Sequence, residues 1–260
     1  MTTPNPTSEP TSPELTINGR IATIRFRNPA YANRLSPADL DVIKQHVETV
    51  NRQQEVLVLR FIADGKYFCS GYDISSMAAE TAPSATYFGD TVDIIEQARP
   101  VTIVAINGGV YGGGTDLCLA CDFRLGVNTA NMFMPAAKLG LHFYPGGMVR
   151  YITRLGLNNA KKLFLTGQKI EAEEMHEMGF INELLEPEHL MVRLDELSEQ
   201  LAGMAPIAML GIKKHLNLIA RGIIEDKVIR EAVVASEASN DMKEGALAWK
   251  EKRPARFTGT

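Results

Sequence analysis

The chain has 260 residues, of which 45% are hydrophobic and 22% are charged, and this balance is typical of a globular protein with a sizeable core. Its formal net charge of −4 at pH 7 argues against a nucleic-acid-binding protein, which needs a basic face. No stretch approaches the roughly 20 apolar residues of a membrane span, and the N-terminus lacks the basic start and apolar run of a secretion signal. We therefore expect a cytoplasmic protein with neither nucleic acid nor membrane as a partner.

The first thirteen residues are rich in proline, serine and threonine and almost free of apolar side chains. Such a segment cannot bury enough surface to offset its ordering entropy, so residues 1–13 are predicted to form a disordered tail. The patterns that follow predict a β/α core over residues 14–200 and a helical C-terminal region over residues 201–260.

The core begins with two short β-rich runs, residues 14–17 and 21–26, on either side of Asn18-Gly19. This dipeptide is favoured in two-residue hairpin turns, so the pattern predicts a hairpin. Ser36 then opens a capping-box pattern with proline in the first turn, and apolar residues follow at positions 40, 43, 47 and 50. That spacing predicts an amphipathic helix.

Three near-continuous apolar runs, residues 56–63, 101–106 and 123–127, predict strands of a sheet that is covered on both faces. Helical periodicity follows in two shorter segments that end at Gly167 and Gly179, and then in three long ones. The predicted helices are residues 158–165, 172–178, 189–204, 207–220 and 224–249.

Two glycine-rich turns follow predicted strands: FCSGYDI at residues 68–74 and NGGVYGGG at residues 107–114. Consecutive glycines at the start of a helix remove every Cβ from its first turn, so unpaired N–H groups can approach a ligand oxygen. Neither turn has the dinucleotide or P-loop phosphate pattern. Tight strand–helix packing is the alternative explanation for the glycines.

Cys118 and Cys121 form a C-x-x-C pattern, which is compatible with a redox or zinc site. A second cysteine pair or a histidine cluster would be needed to complete a metal site, and the sequence offers neither. The motif lies in a predicted helix, where both sulfurs can fill apolar space, so we predict buried free thiols and no metal.

Several motifs in order resemble those of the crotonase (enoyl-CoA hydratase/isomerase) superfamily. Residues 68–74 resemble its F-x-x-G-x-D motif, and residues 106–122, INGGVYGGGTDLCLACD, resemble N-G-x-x-x-G-G-G-x-E/D-L-x-x-x-C-D. The similarity extends from about residue 14 to residue 257. It implies an α/β fold, the crotonase (ClpP/crotonase-like) fold of repeated ββα units, with a helical C-terminal trimerisation region. It also implies a homotrimer or homohexamer and an acyl-CoA substrate, whose coenzyme A is part of the substrate, so that no separate cofactor is expected.

The resemblance also implies an oxyanion hole that is formed by the backbone N–H groups of Tyr72 and Gly113. Two such donors suit a thioester enolate, because one preorganised donor can contribute about 3–4 kcal/mol to transition-state binding. Further contacts with substrate or CoA are implied for Ser70, Gly71, Asp73, Gly112, Trp249 and Lys250.

Hydratases of this superfamily use two glutamates to position and split a water. Asp116 occupies the first position and is one methylene shorter; its i,i+3 spacing from Gly113 places it on the same helix face. Ala136 occupies the second position, which puts the two-glutamate mechanism in doubt. A helix N-terminal charge is the alternative role for Asp116.

Tyr144 and His142 are the candidate replacements for the missing glutamate. The reference pKa of a phenol favours the role of acid for Tyr144, and that of an imidazole favours the role of base for His142. Either side chain could instead serve packing alone.

Three functions remain open. The first is an enoyl-CoA hydratase or isomerase with Asp116 as acid/base. The second is another crotonase reaction, such as thioester hydrolysis, decarboxylation or C–C cleavage, because Ala136 replaces the second glutamate. The third is a catalytically silent acyl-CoA-binding protein.

Overall fold

The structure is a computed structural model, and it describes residues 11–73, 84 and 86–260. The predicted disordered tail therefore lies mostly outside the described residues. Within the described part, no helix is both long enough and apolar enough to cross a bilayer.

The larger sheet has six strands in the order β1-β2-β3-β5-β7-β10, and every pair is parallel except the first. Its strands are β1 (Glu14–Asn18), β2 (Ile21–Phe26), β3 (Val58–Ala63), β5 (Val101–Ile106), β7 (Phe123–Val127) and β10 (Glu183–Leu185). All six residues of β5 are buried, as expected for a central strand with both faces covered. The sequence correctly predicted β2, β5 and β7; it also predicted the end of β3 correctly, but placed the start of that strand two residues too early.

The predicted hairpin forms, but its turn lies one residue later than expected. Asn18 pairs with Ile21, so the two-residue loop is Gly19-Arg20. Gly19 has φ of 55°, a left-handed conformation that glycine adopts without steric cost.

A second, four-stranded sheet has the order β4-β6-β8-β9. Its strands are β4 (Tyr67–Cys69), β6 (Gly109–Tyr111), β8 (Asn131–Phe133) and β9 (Ile170–Glu171). A long strand of the first sheet, a short strand of the second and then a helix recur along the chain, which gives the predicted repetition of ββα units.

The helices are α1 (Pro37–Arg52), α2 (Tyr87–Glu96), α3 (Gly113–Ala120), α4 (Pro145–Thr166), α5 (Ala172–Glu177), α6 (Leu190–Ala202), α7 (Pro206–Ala220), α8 (Asp226–Ala238) and α9 (Asn240–Glu251). The predicted capping box is present at the start of α1: the Ser36 hydroxyl accepts from the Asp39 amide, and the Asp39 carboxylate accepts from the Ser36 amide. The four apolar positions predicted for α1 are all buried.

The helical C-terminal region is present, but the single helix predicted over residues 224–249 is wrong. It is divided into α8 and α9 at Ser239, which has extended backbone angles and whose hydroxyl accepts a hydrogen bond from the Met242 amide. A serine at an N-cap satisfies a helix donor and so starts a new helix, which helical periodicity alone does not reveal.

Helix α4 contains a break at Gly156, whose φ of 78° and ψ of 159° are not helical. Residues 145–155 and 157–166 are therefore two helical segments that meet at a glycine. Only the second segment overlaps the helix predicted from the sequence.

The second sheet brings the two glycine-rich turns together. Strand β4 pairs in parallel with β6, with Tyr67 opposite Gly109 and Cys69 opposite Val110. Because parallel strands end at the same edge of a sheet, the turn after β4 and the turn after β6 lie side by side.

Candidate active site

The glycine-rich turns approach each other so closely that a side chain at Gly71 is excluded. Gly71 has φ of 91°, and a Cβ built on it would lie 2.8 Å from the Tyr111 carbonyl oxygen and 3.0 Å from the Gly113 nitrogen. Gly112, with φ of 51°, directs the chain into α3. Glycine suits both positions because φ is positive there, and at Gly71 the backbone contact between the turns excludes a side chain as well.

The amides of Tyr72 and Gly113 lie on either side of this contact. Tyr72 follows Gly71 directly, and Gly113 is the first residue of α3. Within residues 11–73, 84 and 86–260, neither amide donates a hydrogen bond to a protein acceptor. The positive end of the α3 dipole also lies here, so the local field favours an anion.

The amides of Ser70 and Asp73 are used within the protein. The Ser70 amide donates to the Ala32 carbonyl oxygen at 2.9 Å, and the Asp73 amide donates to that of Leu35 at 2.9 Å. Both amides are therefore already engaged and are not free to donate to CoA. The predicted role of both residues in binding CoA stays a prediction and would have to use other atoms.

Aromatic side chains form a wall beside the two turns. The Phe88 ring of α2 packs against Gly113, since a Cβ there would lie 2.6 Å from the ring. The Phe88 centroid is 5.7 Å from that of Tyr72 and 6.5 Å from that of Tyr144, whose ring stacks on Phe143 at 4.2 Å. The turns are thus covered on this side by apolar ring faces.

Asp116 lies one turn into α3 and has no exposed surface. Its carboxylate accepts three hydrogen bonds: Arg150 Nε donates to Oδ1 at 2.9 Å, Arg150 Nη2 to Oδ2 at 2.7 Å, and the Tyr144 hydroxyl to Oδ2 at 2.6 Å. The carboxylate therefore faces these two side chains. The predicted role of Asp116 as an acid/base stays a prediction.

Tyr144 precedes the first residue of α4, and its phenol reaches the buried carboxylate. Burial, the charge of Asp116 and the hydrogen bond to Asp116 all raise the pKa of Tyr144 well above its usual value. The phenol therefore remains protonated through the neutral range.

Arg150, which sequence reasoning missed, is only 1% exposed and joins Asp116 to α2. Its Nη1 donates to Asp93 Oδ1 at 2.5 Å and to Glu96 Oε2 at 3.3 Å. Burial alone would lower the pKa of the guanidinium, but the hydrogen bonds and charges of the carboxylates raise it above its usual value. Arg221, at the end of α7, binds Asp93 at 2.9 Å and also pairs with Glu96.

The sequence offered only a weak signal for this charge cluster. Asp93 and Glu96 are spaced i,i+3 and so share a helix face, but they are more than 50 residues from Arg150. With Arg154, which lies 3.5 Å from Glu96, the cluster has three carboxylates and three arginines. Buried charges persist only when they are paired in this way.

Ala136 is 7% exposed and forms part of the wall of an apolar cavity of about 350 Å³. The lining residues are Ala136, Ala137, Leu141, His142, Phe143, Met148, Ile152, Leu157, Ala160, Lys161, Phe164 and Leu165. Ala136 follows Pro135, whose ring lies 3.8 Å from a Cβ built on Gly112, so the cavity begins next to the second glycine turn.

His142 lies at this cavity and not among the groups around Asp116. It is exposed, and its Nδ1 is 2.8 Å from the Phe143 carbonyl oxygen. The structure thus brings together Tyr72, Gly113, Asp116 and Tyr144 of the predicted site, whereas His142 lines the apolar cavity.

Trp249 and Lys250 lie on the exposed side of α9, and Trp249 is 88% exposed. Among the described contacts, no hydrogen bond, ion pair or ring contact joins their side chains to the two turns. Their predicted contact with CoA stays a prediction.

Cys118 and Cys121 are buried free thiols. Helix α3 ends at Ala120, so Cys121 caps the helix and does not lie inside it. Burial raises the pKa of Cys121 to about 12 and that of Cys118 well above its usual value, and both thiols are therefore inert.

Comparison with known proteins agrees with this architecture. The sequence profile of the family described as Enoyl-CoA hydratase/isomerase matches residues 16–260, nearly the whole chain. The chain belongs to this family of enzymes. Family membership confirms the resemblance drawn from the motifs and the fold class that it implied.

Among relatives in the enoyl-CoA hydratase/isomerase family, a carnitinyl-CoA dehydratase of Proteus mirabilis is 31% identical over 207 residues, or 76% of this chain and 79% of that protein. A crotonyl-CoA hydratase of Syntrophomonas wolfei is 30% identical over 245 residues, or 92% and 94% of the two chains. The crystal structure of an enoyl-CoA hydratase from Bacillus anthracis is 27% identical, with a TM-score of 0.82 over 96% of this chain and 100% of that chain.

Proposed function

We propose that this enzyme binds an acyl-CoA thioester and stabilises its enolate with the amides of Tyr72 and Gly113. The observation that carries the proposal is that these two amides, among the described residues, donate to no protein acceptor and flank a backbone contact at the start of α3. Two preorganised donors at a helix N-terminus suit an oxygen that becomes negative during reaction. The names of the carnitinyl-CoA and crotonyl-CoA relatives support a CoA ester as substrate.

Tyr144 is the side chain proposed to touch the substrate, with Asp116 behind it. The phenolic proton is directed to Asp116, so the remaining lone pairs of Oη can accept a proton from water or from the substrate. A proton that enters at Oη is matched by transfer of the phenolic proton to Oδ2 of Asp116. The pair thus works as one acid/base unit, in place of two glutamates.

In hydration of an enoyl thioester, the water oxygen bonds to the β carbon and the electron pair of the double bond moves toward the thioester oxygen. One proton leaves the water for Oη as the phenolic proton moves to Asp116, and reversal of this transfer returns a proton to the α carbon. In isomerisation, the same unit removes a proton from one carbon of the substrate and returns it to another. Both reactions need only one acid/base unit and one oxyanion hole.

Incubation of the purified protein with crotonyl-CoA in deuterated water, followed by mass spectrometry, tests the proposal. We expect an adduct that contains the elements of water, and at least a tenfold lower rate for Tyr144→Phe and for Asp116→Asn. His142→Gln is the matched control, because it removes a titratable ring that lies outside this network. If His142→Gln loses as much activity as Tyr144→Phe, the assignment of Tyr144 is wrong.

A second candidate is another crotonase reaction, and Ala136 favours it. Water addition normally uses a second carboxylate, whereas the corresponding wall here is apolar. Unchanged crotonyl-CoA, together with hydrolysis, decarboxylation or C–C cleavage of other CoA esters, would support this candidate. Tight binding of all these esters without conversion would instead indicate an acyl-CoA-binding protein.

We also propose that the enzyme assembles as a homotrimer or homohexamer through its C-terminal region. Large apolar side chains on α7, α8 and α9 are exposed, among them Ile212, Leu216, Val234 and Trp249, which are between 59% and 88% exposed. Exposed apolar surface of this kind marks protein interfaces. Light scattering of the purified protein would give a mass of three or six chains, and a monomer would contradict the proposal.

A further inference from the structure

The strongest unassigned feature of the site is Arg150, which stands behind the two groups to which the reaction is ascribed. Its guanidinium donates to both oxygens of Asp116, at 2.9 and 2.7 Å, and neither side chain is more than 1% exposed. A bidentate pair of this kind fixes the plane of the carboxylate as well as its position. Oδ2 of Asp116 is therefore held where the Tyr144 hydroxyl meets it.

We propose that Arg150 is a positioning residue that sets the direction of the Tyr144 hydroxyl proton. A phenol has one proton, which can rotate about the C–O bond toward any acceptor within reach. With Asp116 fixed, the proton points inward to Oδ2 and the lone pairs of Oη are left for the substrate side. At the start of the reaction Tyr144 is thereby an acceptor toward water or a substrate proton, and it becomes a donor only after its own proton has moved to Asp116.

The surroundings of the ring support this assignment because they allow the phenol little freedom. A Cβ built on Gly89 would lie 2.5 Å from the Tyr144 ring, and one on Gly147 would lie 2.8 Å from it. Phe143 stacks on the ring at 4.2 Å. The ring is thus held on several sides, and the hydroxyl rotor is the degree of freedom that Arg150 controls through Asp116.

The same guanidinium also binds α2 through Asp93 and Glu96, and Phe88 on that helix covers Gly113. The alternative is that Arg150 has a purely structural role as an anchor of α2. An Arg221 variant distinguishes the two roles, because Arg221 binds the same two carboxylates but, among the described contacts, not Asp116. Loss of Arg221 therefore removes an anchor of α2 and leaves the Asp116–Tyr144 pair in place.

The inference rests on the proposed function for its kinetic consequence, and three variants test it. Arg150→Met should lower kcat by about 10²-fold and change KM less than threefold. The reason is that the substitution misdirects the Tyr144 proton but removes no contact with the substrate. Arg221→Met should leave kcat within about threefold of the wild type. Tyr144→Phe combined with Arg150→Met should be no slower than Tyr144→Phe alone, since both act through one hydroxyl.

Arg150→Lys keeps the protein assayable if Arg150→Met does not fold. It retains the positive charge but cannot donate to both oxygens of Asp116 in one plane, so kcat should still fall at least tenfold. Equal loss of kcat in Arg150→Lys and Arg221→Met, or additive losses in the double variant, would overturn the positioning role and leave Arg150 as a structural anchor.

A spectroscopic measurement decides the inference without any turnover. A hydroxyl proton in a 2.6 Å bond to a carboxylate should give a downfield proton resonance, which Tyr144→Phe identifies by its loss. We expect this resonance to shift or vanish in Arg150→Lys and to remain in Arg221→Met. An unchanged resonance in both Arg150→Lys and Arg221→Met would refute the positioning role of Arg150. If the resonance behaves as expected but the wild-type enzyme converts no CoA ester, only the proposed function is refuted.

Discussion

Positions 116 and 136, which the motif resemblance matches to the two glutamates of hydratases, are almost equally buried, at 0% and 7% exposure, yet they have opposite surroundings. Asp116 accepts three hydrogen bonds within a cluster of three carboxylates and three arginines. Ala136 belongs to a cavity wall whose polar side chains are His142 and Lys161. Depth therefore does not decide whether a position can hold a carboxylate; the donors within reach decide it.

The largest expected effect comes from removal of the carboxylate at position 116. Asp116→Ala leaves Arg150 and Tyr144 without their shared partner, and breaking such a buried pair costs about 3–5 kcal/mol in the free energy of unfolding. Asp93→Ala is the matched control, because Asp93 also binds Arg150 but its side chain is 32% exposed; we expect a loss of about 1–2 kcal/mol. Urea unfolding measures the free energy of unfolding of both variants. Equal losses would show that the buried carboxylate contributes no more to stability than the partly exposed one.

A second prediction concerns the contact between the two glycine turns, the second of which leads into the helix that carries Asp116. Gly71→Ala should cost about 1–3 kcal/mol in backbone strain and reduce kcat by about 10²–10³-fold, since the Cβ would displace the Gly113 amide. Gly19→Ala serves as the control: its φ is also positive, but no atom lies within 4 Å of the added Cβ. It should cost about 1 kcal/mol and leave kcat unchanged.

A third prediction introduces a carboxylate at position 136. Ala136→Glu should be about 1–3 kcal/mol less stable than Ala136→Gln at pH 8, because the cavity wall is apolar. Desolvation raises the pKa of such a carboxyl above its unfolded value, so the gap should close as the pH falls and the folded carboxyl becomes neutral. If position 136 faces the substrate, Ala136→Glu should also hydrate crotonyl-CoA at least tenfold faster than Ala136→Gln. Equal rates would show that this wall does not contact the reacting carbons.

The smallest effect is expected at the ion pair of Glu244 with Arg253, which lies near the surface, unlike the buried charge cluster. The hydrogen bond from Arg253 and that from the Arg256 amide lower the pKa of Glu244 to about 2. A carboxyl whose folded pKa lies below its unfolded pKa stabilises the fold above the unfolded value and loses that contribution as the pH falls through the folded value. Glu244→Gln should therefore melt slightly lower than the wild type at pH 7, with the difference vanishing toward pH 2. A difference that is independent of pH would rule out this linkage.

The sequence predicted the elements that carry a long periodic signal and missed those that depend on tertiary pairing. Strands β2, β5 and β7 and helix α1 were predicted closely, because each has an apolar pattern over five or more residues. Strands β4, β6, β8 and β9 have two or three residues each, too few for any period to appear. Helix α2 was missed although Asp93 and Glu96 share one face.

The candidate site shows the same division. The glycine-rich turns around Tyr72 and Gly113 could be predicted because the glycines of each turn lie close together in the sequence and form a local pattern. Arg150 could not be found, since its partners lie 34 to 57 residues away and no local pattern distinguishes it from a surface arginine. The reference pKa of His142 and its nearness to Tyr144 in the sequence favour it as a base, yet its side chain lines the apolar cavity and lies outside the groups around Asp116.

Gly156 divides α4 into two segments that contribute unequally to the two environments. The segment before it carries Arg150, which binds the buried carboxylates, and also Met148 of the apolar cavity. The segment after it contributes Leu157 and Ala160 to the cavity. The cavity can therefore be resized by substitutions on the later segment alone, so that its shape can vary without any change on the segment that carries the guanidinium.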